Sequence, residues 1–268
     1  MTGEKTVCRR ALLCLSAVLF LLCIHPARAY GKTSVPAYLK EGVIVHACGG
    51  LNGNTYTNSL EALKETLEKG VRCVEIDFAF TSDGVLVCNH GWKDFGRKAP
   101  TWKQYQIKGT IGGYTPMKAK TALKMLIKAK RTWLVVDTQE KDVRAVYREI
   151  VKICRKNDGK QYLKKIVPQL YCKSDYKRMK KIYPFKQWIF TLYKLKMKSR
   201  KDYKAIAQFC RKNRIRVMTM ATARLSKAVA KIIHKKGILV AVHTVNKETK
   251  RKKFLGKGAN AIYSDYLY

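Results

Sequence analysis

VEIDFAFTSDGVLVCNHGW, residues 74–92, sets two carboxylates, Glu75 and Asp77, inside an apolar run, in a chain whose charge is otherwise mostly lysine and arginine. Side chains on a strand alternate between its faces, so residues 75 and 77 share one face. Burying two like charges so close is costly unless a cation or protons compensate them. The stretch also holds a turn. VLVCNH (85–90) reads as a second strand, separated from the first only by TSDG, and Asp83-Gly84 is a strong hairpin signal. With those two residues as the loop, Ser82 faces Val85 and Asp77 falls opposite His90. The hairpin is therefore expected to return a histidine to the carboxylates.

Outward from this stretch, short β-branched runs alternate with helical patterns, the signature of repeated βα units around a parallel sheet. The strand candidates are VIVHA (43–47), CVEIDF (73–78), WLVVDT (133–138), IVPQLY (166–171), WIFTLY (188–193), RVMTMA (216–221), LVAVHTV (239–245) and AIYSD (261–265). Between them lie amphipathic stretches such as SLEALKETLEKG and SKAVAKIIHKKG, each ending on the glycine expected just past a helix. Eight strands with intervening helices predict an α/β fold, a closed (β/α)8 TIM barrel with a β-hairpin excursion after strand 2, whose site lies at the C-terminal strand ends. A doubly wound open sheet is the alternative, but no GxGxxG follows the first strand.

The first residues are not read as part of that fold. Lys5, Arg9 and Arg10 precede the apolar run ALLCLSAVLFLLCI, and ARA at 27–29 supplies small residues for cleavage before Tyr30. Residues 1–29 are expected to be a secretory signal peptide, with the barrel domain over 30–268 and a secreted or extracytoplasmic location. The alternative is an uncleaved membrane anchor, although the apolar run falls short of the roughly 20 residues a spanning helix needs. Of the 268 residues, 56 are Lys or Arg and 18 are Asp or Glu, a formal charge of +38. Removing Lys5, Arg9, Arg10 and Arg28 with Glu4 lowers this by three, to +35. Such a field attracts anionic partners: phospholipid head groups, anionic cell-wall polymers or nucleic acid. No aromatic-interleaved nucleic-acid motif is present, so nucleic acid is the least favoured of these. The stretch 118–131 reads as an amphipathic helix with a solvated basic face. Six cysteines follow the signal segment; their pairing is not legible, and no CxxC or Cys/His zinc spacing occurs.

Asp137, at the end of LVVDT, brings a third carboxylate from the neighbouring barrel strand to the rim occupied by Glu75 and Asp77. Three oxygen ligands without thiolates suit a hard divalent cation, Mg²⁺ or Ca²⁺. Singly, an acid at a strand end is more often a loop cap or ion-pair partner. The joint pattern favours the metal reading, because all three interrupt apolar strands in a chain with few acids. His46 ends the first strand and His90 the hairpin. At the same rim as the carboxylates they read as a general base and a general acid. His243 is expected to line the mouth, and His234 to lie on a basic helical face.

In chain order, HACGG (46–50), TNS (57–59), VEIDF (74–78), TSDGVLVCNHG (81–91), LVVDTQ (134–139), HTVN (243–246) and YSD (263–265) resemble the motifs of the glycerophosphodiester phosphodiesterases. These enzymes are relatives of the phosphatidylinositol-specific phospholipase C-like phosphodiesterases. The resemblance runs from about Val43 to Tyr268. It implies a TIM barrel that cleaves glycerol-type phosphodiesters with a divalent cation held by Glu75, Asp77 and Asp137, and with His46 and His90 as the acid/base pair. It also exposes departures. Ala47 stands where the family has arginine, Thr57 replaces glutamate, Gln139 lysine, His243 tryptophan and Gly91 an acid. Losing the arginine removes a bidentate phosphate contact, for which Lys93 or another rim lysine is a candidate replacement. An aspartate as third ligand is similar to the phospholipase D-like branch.

The sequence therefore predicts a secreted metal-dependent phosphodiesterase acting on glycerophosphodiesters, lipid head-group diesters or polyglycerolphosphate. The contrasting reading is a catalytically silent cationic barrel that binds anionic membrane or wall polymers. A metal-free phospholipase C-like lyase is disfavoured by the three carboxylates.

Overall fold

The computed structural model describes residues 34–268. The expected signal segment and its boundary at residue 29 lie outside the described residues. Nine strands form one sheet: β1 (Val43–Val45), β2 (Cys73–Phe80), β3 (Leu86–Cys88), β4 (Trp133–Asp137), β5 (Ile166–Leu170), β6 (Ile189–Thr191), β7 (Val217–Ala221), β8 (Leu239–His243) and β9 (Ala261–Ser264). Eight of them pair in parallel in the order β1-β9-β8-β7-β6-β5-β4-β2, and β1 bonds back to β2 to close the barrel. The ninth, β3, runs antiparallel to β2 as the hairpin excursion.

The strands read as near-continuous apolar runs because both faces are covered. Residues of one parity, among them Ile44, Cys73, Val135, Val167, Val217 and Ala261, fill the barrel interior. Those of the other parity, such as Val74, Ile76, Leu134, Val136 and Val240, pack beneath the helices. Each fully buried aliphatic side chain in these layers contributes roughly 1.5–3 kcal/mol. Tyr38 and Leu39, from the single turn Ala37–Leu39, join the interior cluster beside Ile44 and Val135, and the ring of Tyr38 lies 5.8 Å from that of Trp133.

The helices follow the sequence pattern. α1 (Leu60–Glu68) is capped by Ser59, whose hydroxyl accepts from the Ala62 N–H at 3.2 Å. Between the hairpin and β4, α2 (Trp102–Lys108) opens on a Thr101/Gln104 capping box. α3 (Ala119–Ala129) buries Ala119, Ala122, Leu123 and Leu126 and leaves Lys120 and Lys124 exposed, as expected of the basic stretch 118–131. Around the rest of the barrel run α4 (Val143–Lys156), α5 (Lys173–Lys180), α6 (Arg200–Lys212), α7 (Lys227–His234) and α8 (Glu248–Gly256).

Two local expectations need correction. The hairpin register is Phe78 opposite Cys88 and Phe80 opposite Leu86, which carries Asp77 opposite Asn89 rather than His90. The turn takes three residues instead of two. Thr81 N–H donates to Val85 O at 3.0 Å, enclosing Ser82-Asp83-Gly84, and Gly84 adopts φ +78°, the left-handed position that completes a three-residue loop. The first strand also ends at Val45: Ala47 (φ 48°) and Cys48 (φ 69°) turn the chain away immediately after His46. All six cysteines of the described residues are free thiols, and every one except Cys172 is buried, behaving as a small hydrophobe.

Candidate active site

The inward parity that is apolar low in the barrel continues upward with a different chemistry. Glu75 and Asp77 on β2, Asp137 on β4, Gln169 on β5, Thr191 on β6 and His243 on β8 all line one cavity of about 100 Å³ at the C-terminal strand ends. Parallel pairing of β2 with β4 sets Asp77 directly alongside Asp137 and Glu75 alongside Val135. The three carboxylates each offer an oxygen within 4.8 Å of the others. Sequence reasoning placed all three at one rim, and the structure brings them together.

Each carboxylate is held from one side. Glu75 Oε2 accepts from the Ala47 N–H at 2.8 Å, a bond that depends on the left-handed turn after His46. Asn58 grips Asp77 twice: its amide nitrogen donates to Asp77 Oδ2 at 3.0 Å, and its carbonyl accepts the Asp77 backbone N–H at 3.1 Å. Asp137 accepts from the Thr138 N–H and from the Tyr171 hydroxyl, both at 2.7 Å. Glu75 Oε1 is buried and has no hydrogen-bond partner among the described residues. Burial, followed by repulsion from Asp77 and Asp137, holds the Glu75 carboxyl well above the ordinary carboxylate range. Burial and then Asp77 push Asp137 up to about 6. Among the described residues, no lysine or arginine lines this cavity.

An orphaned buried oxygen and three converging carboxylates, with no cationic side chain among the described residues lining the cavity, make a set of oxygen donors suited to a metal ion. The residues present fit such an ion.

The two histidines reach the cavity differently. His46 is buried, and its Nδ1 lies 2.8 Å from Asp265 Oδ1. Asp265 is fixed in turn by Asn246, which donates to its Oδ2 at 2.6 Å and accepts its backbone N–H at 2.8 Å. Since the carboxylate can only accept, Nδ1 carries the proton and Nε2 is left as the basic nitrogen. His90 is exposed, just past the end of β3, with its Nε2 3.1 Å from the amide nitrogen of Gln139. Tyr56 lies between them. Its ring centroid is 4.5 Å from His46 and 4.9 Å from His90, edge-on to both.

His243 lines the cavity as expected; burial first, and then His46, push its imidazole down to about 4, so it is neutral at pH 7. His234 lies apart from the site, with its Nε2 2.9 Å from Asn260 Oδ1.

Several lining residues carried no assigned role in the sequence reading: Tyr56, Gln169, Tyr171, Thr191, Tyr193 and Tyr263. Gln169 and Tyr171, Thr191 and Tyr193 were accessible in principle, because each pair sits two apart near the end of a strand candidate, as Glu75 and Asp77 do on theirs. Tyr263 donates to Gln169 Oε1 at 2.9 Å across the interior. Tyr56 lies in a loop with φ +58°, and no periodicity marks it.

The model of the glycerophosphoryl diester phosphodiesterase family matches residues 50–101 of this chain. No curated protein matches. Several solved structures share the fold. A glycerophosphodiester phosphodiesterase from Parabacteroides distasonis is 17% identical, with a TM-score of 0.65 over 84% of this chain and 92% of that one. An Oleispira antarctica phosphodiesterase, solved in complex with the product sn-glycerol-3-phosphate, is 16% identical, with a TM-score of 0.67 over 84% and 92%. A glycerophosphodiester phosphodiesterase from Thermotoga maritima is 17% identical, with a TM-score of 0.60 over 84% and 94%. At these identities the likeness is one of fold. The matched segment carries Glu75, Asp77 and His90, and the barrel around it has the fold of these solved structures.

Proposed function

We propose that this chain is a divalent-cation-dependent phosphodiesterase that hydrolyses glycerophosphodiesters or related head-group diesters, with glycerol phosphate among its products. The observation that carries the reading is the meeting, in one cavity, of the Glu75/Asp77/Asp137 cluster with two imidazoles of different environment, His46 and His90. The family match over 50–101 supports the same class.

In this reading Glu75, Asp77 and Asp137 hold a Mg²⁺ or Ca²⁺ ion, which would bind phosphoryl oxygens and neutralise charge developing on them. His46 Nε2 takes the proton of the attacking hydroxyl, which belongs either to water or to the substrate's own glycerol. Asp265 keeps Nδ1 protonated and stabilises the imidazolium that results. His90, at the cavity mouth, delivers a proton to the departing alkoxide. Gln139 beside it orients the ring. Ala47 contributes its backbone N–H to Glu75, and no guanidinium to phosphate.

The chain is further proposed to act outside the cytoplasm, with residues 1–29 as a cleaved signal; N-terminal sequencing of the protein recovered from its native host tests this. The function itself is tested by incubating the purified chain with a panel of glycerophosphodiesters and Mg²⁺ or Ca²⁺ and following products by phosphorus NMR. The reading requires chelator-sensitive product release that is abolished in His46→Ala and His90→Ala. Absence of product from every diester, or rates unchanged in both variants, overturns it. A cyclic phosphate preceding the monoester would identify the glycerol hydroxyl as the attacking group.

A further inference from the structure

A second concavity opens from the first. It is a groove of about 1040 Å³ that shares Tyr56, His90 and Gln139 with the catalytic cavity and runs out over the excursion after β3. Its electrostatics are the reverse of the cavity's. Three cations, Lys93, Arg97 and Lys108, line it against one carboxylate, Asp94.

The cations are displayed on an anchored platform. Trp92 and Phe95 pack edge-on against Tyr105, with centroids at 5.2 and 6.1 Å, and the Tyr105 hydroxyl donates to Cys88 O at 3.1 Å, tying the loop to β3. The Arg97 N–H closes the loop on Trp92 O at 2.7 Å. Lys108 is already occupied: its ammonium donates to Asp94 O and lies 4.7 Å from the Phe95 ring centroid. The side chains of Lys93 and Arg97 form no hydrogen bond or ion pair with any described residue, and both are exposed. They are unpaired cations facing a groove whose inner end is a proposed proton donor.

A diester with a single phosphate gives these two cations nothing to bind, because its one anionic group belongs at the carboxylate-held ion. A choline-like ammonium in the groove would be repelled by them. The geometry points to a second-anion subsite: Lys93 and Arg97 receive a further phosphate of the substrate, beyond the scissile one, on the side of the group that passes His90. The preferred substrates are therefore glycerophosphodiesters carrying at least two phosphates, whether a short deacylated lipid head group or the end of a poly(glycerol phosphate) chain. This inference rests on the proposed phosphodiesterase reading.

The test compares kcat/KM, with a divalent cation present, for glycerophosphocholine, glycerophosphoglycerol, deacylated cardiolipin and poly(glycerol phosphate). A two-phosphate substrate is expected to exceed glycerophosphoglycerol by about tenfold, and Lys93→Gln/Arg97→Gln to remove most of that preference. The charge-matched variant Lys204→Gln/Lys252→Gln, on the outer helices, should keep the preference, which separates the groove from long-range steering. Preference for deacylated cardiolipin identifies the short head group as sufficient, whereas preference for the polymer alone identifies a longer chain. Equal rates on one- and two-phosphate substrates, or a preference that survives in Lys93→Gln/Arg97→Gln, overturns the subsite. If no diester is turned over, the phosphodiesterase reading fails, and equilibrium titration still decides the groove. Glycerol 1,3-bisphosphate should then bind about tenfold tighter than glycerol 3-phosphate, and only while Lys93 and Arg97 are intact; equal affinities overturn the subsite.

Discussion

Asp265 holds His46 by a 2.8 Å contact between Oδ1 and Nδ1, across 219 residues of sequence and at the seam where β9 meets β1. The pair is buried, and Asn246 locks the carboxylate from its other side. This contact decides which imidazole nitrogen faces the cavity. Asp265→Asn keeps the shape but offers an amide that can drive the ring into the wrong tautomer, so kcat is expected to fall by about 10³-fold. KM should change far less. Steady-state kinetics with a thermal-unfolding control checks this, and a fall confined to KM would contradict the assignment.

The carboxylate cluster works against the metal-free fold. Glu75→Gln removes one of three like charges from a buried site and should raise the melting temperature of the cation-free protein while abolishing its stabilisation by Mg²⁺ or Ca²⁺. In the wild type, a saturating cation at about 100 times its Kd adds about 2.7 kcal/mol by mass action. Thermal melts of both proteins with and without the ion provide the comparison.

Stability should depend on pH with a definite sign. Asp137 is raised from the ordinary 3.8 to about 6, so the folded chain binds this proton more tightly than the unfolded chain. Its stabilising contribution is fully present below about pH 3.8 and is lost as pH rises through about 6. Relative to Asp137→Asn, the cation-free wild type is therefore expected to lose stability across that window. The cation should restore more stability at pH 7.5 than at pH 5, since its ligands must be deprotonated. Denaturant titrations at the two pH values read both effects.

Tyr56 spaces the two histidines through two edge-on ring contacts. Each such pair is worth about 0.5–1.5 kcal/mol. Tyr56→Ala should therefore lower kcat/KM by about tenfold, whereas Tyr56→Phe, which keeps the ring, should stay within about threefold. Equal losses in both variants would assign the effect to the hydroxyl instead.

The hairpin has its own test. Gly84 sits at φ +78° with open space where a Cβ would point, so Gly84→Ala carries only a backbone cost, about 1 kcal/mol of stability. The midpoint of a denaturant unfolding curve reports it.

How much of this was legible in the sequence follows from the range over which each cause acts. Glu75 and Asp77 were placed on one face because strand alternation is local, and Asp137 joined them because parallel strands carry their C-terminal ends to one rim of the barrel. Eight apolar runs separated by amphipathic helices were enough to predict closure, since both faces of each strand needed covering. The turn at Gly84 was recognised, but its length was not: a two-residue and a three-residue loop share the Asp-Gly signal, and a single extra residue exchanged Asn89 for His90 opposite Asp77. The tertiary structure alone decided that Asp265 holds His46, that Asn58 grips Asp77, and that Tyr56 stands between the imidazoles. These are contacts between loops and strand ends. They depend on where a left-handed turn, such as the one at Ala47, points the next side chain, and neither period 2 nor period 3.6 encodes that direction.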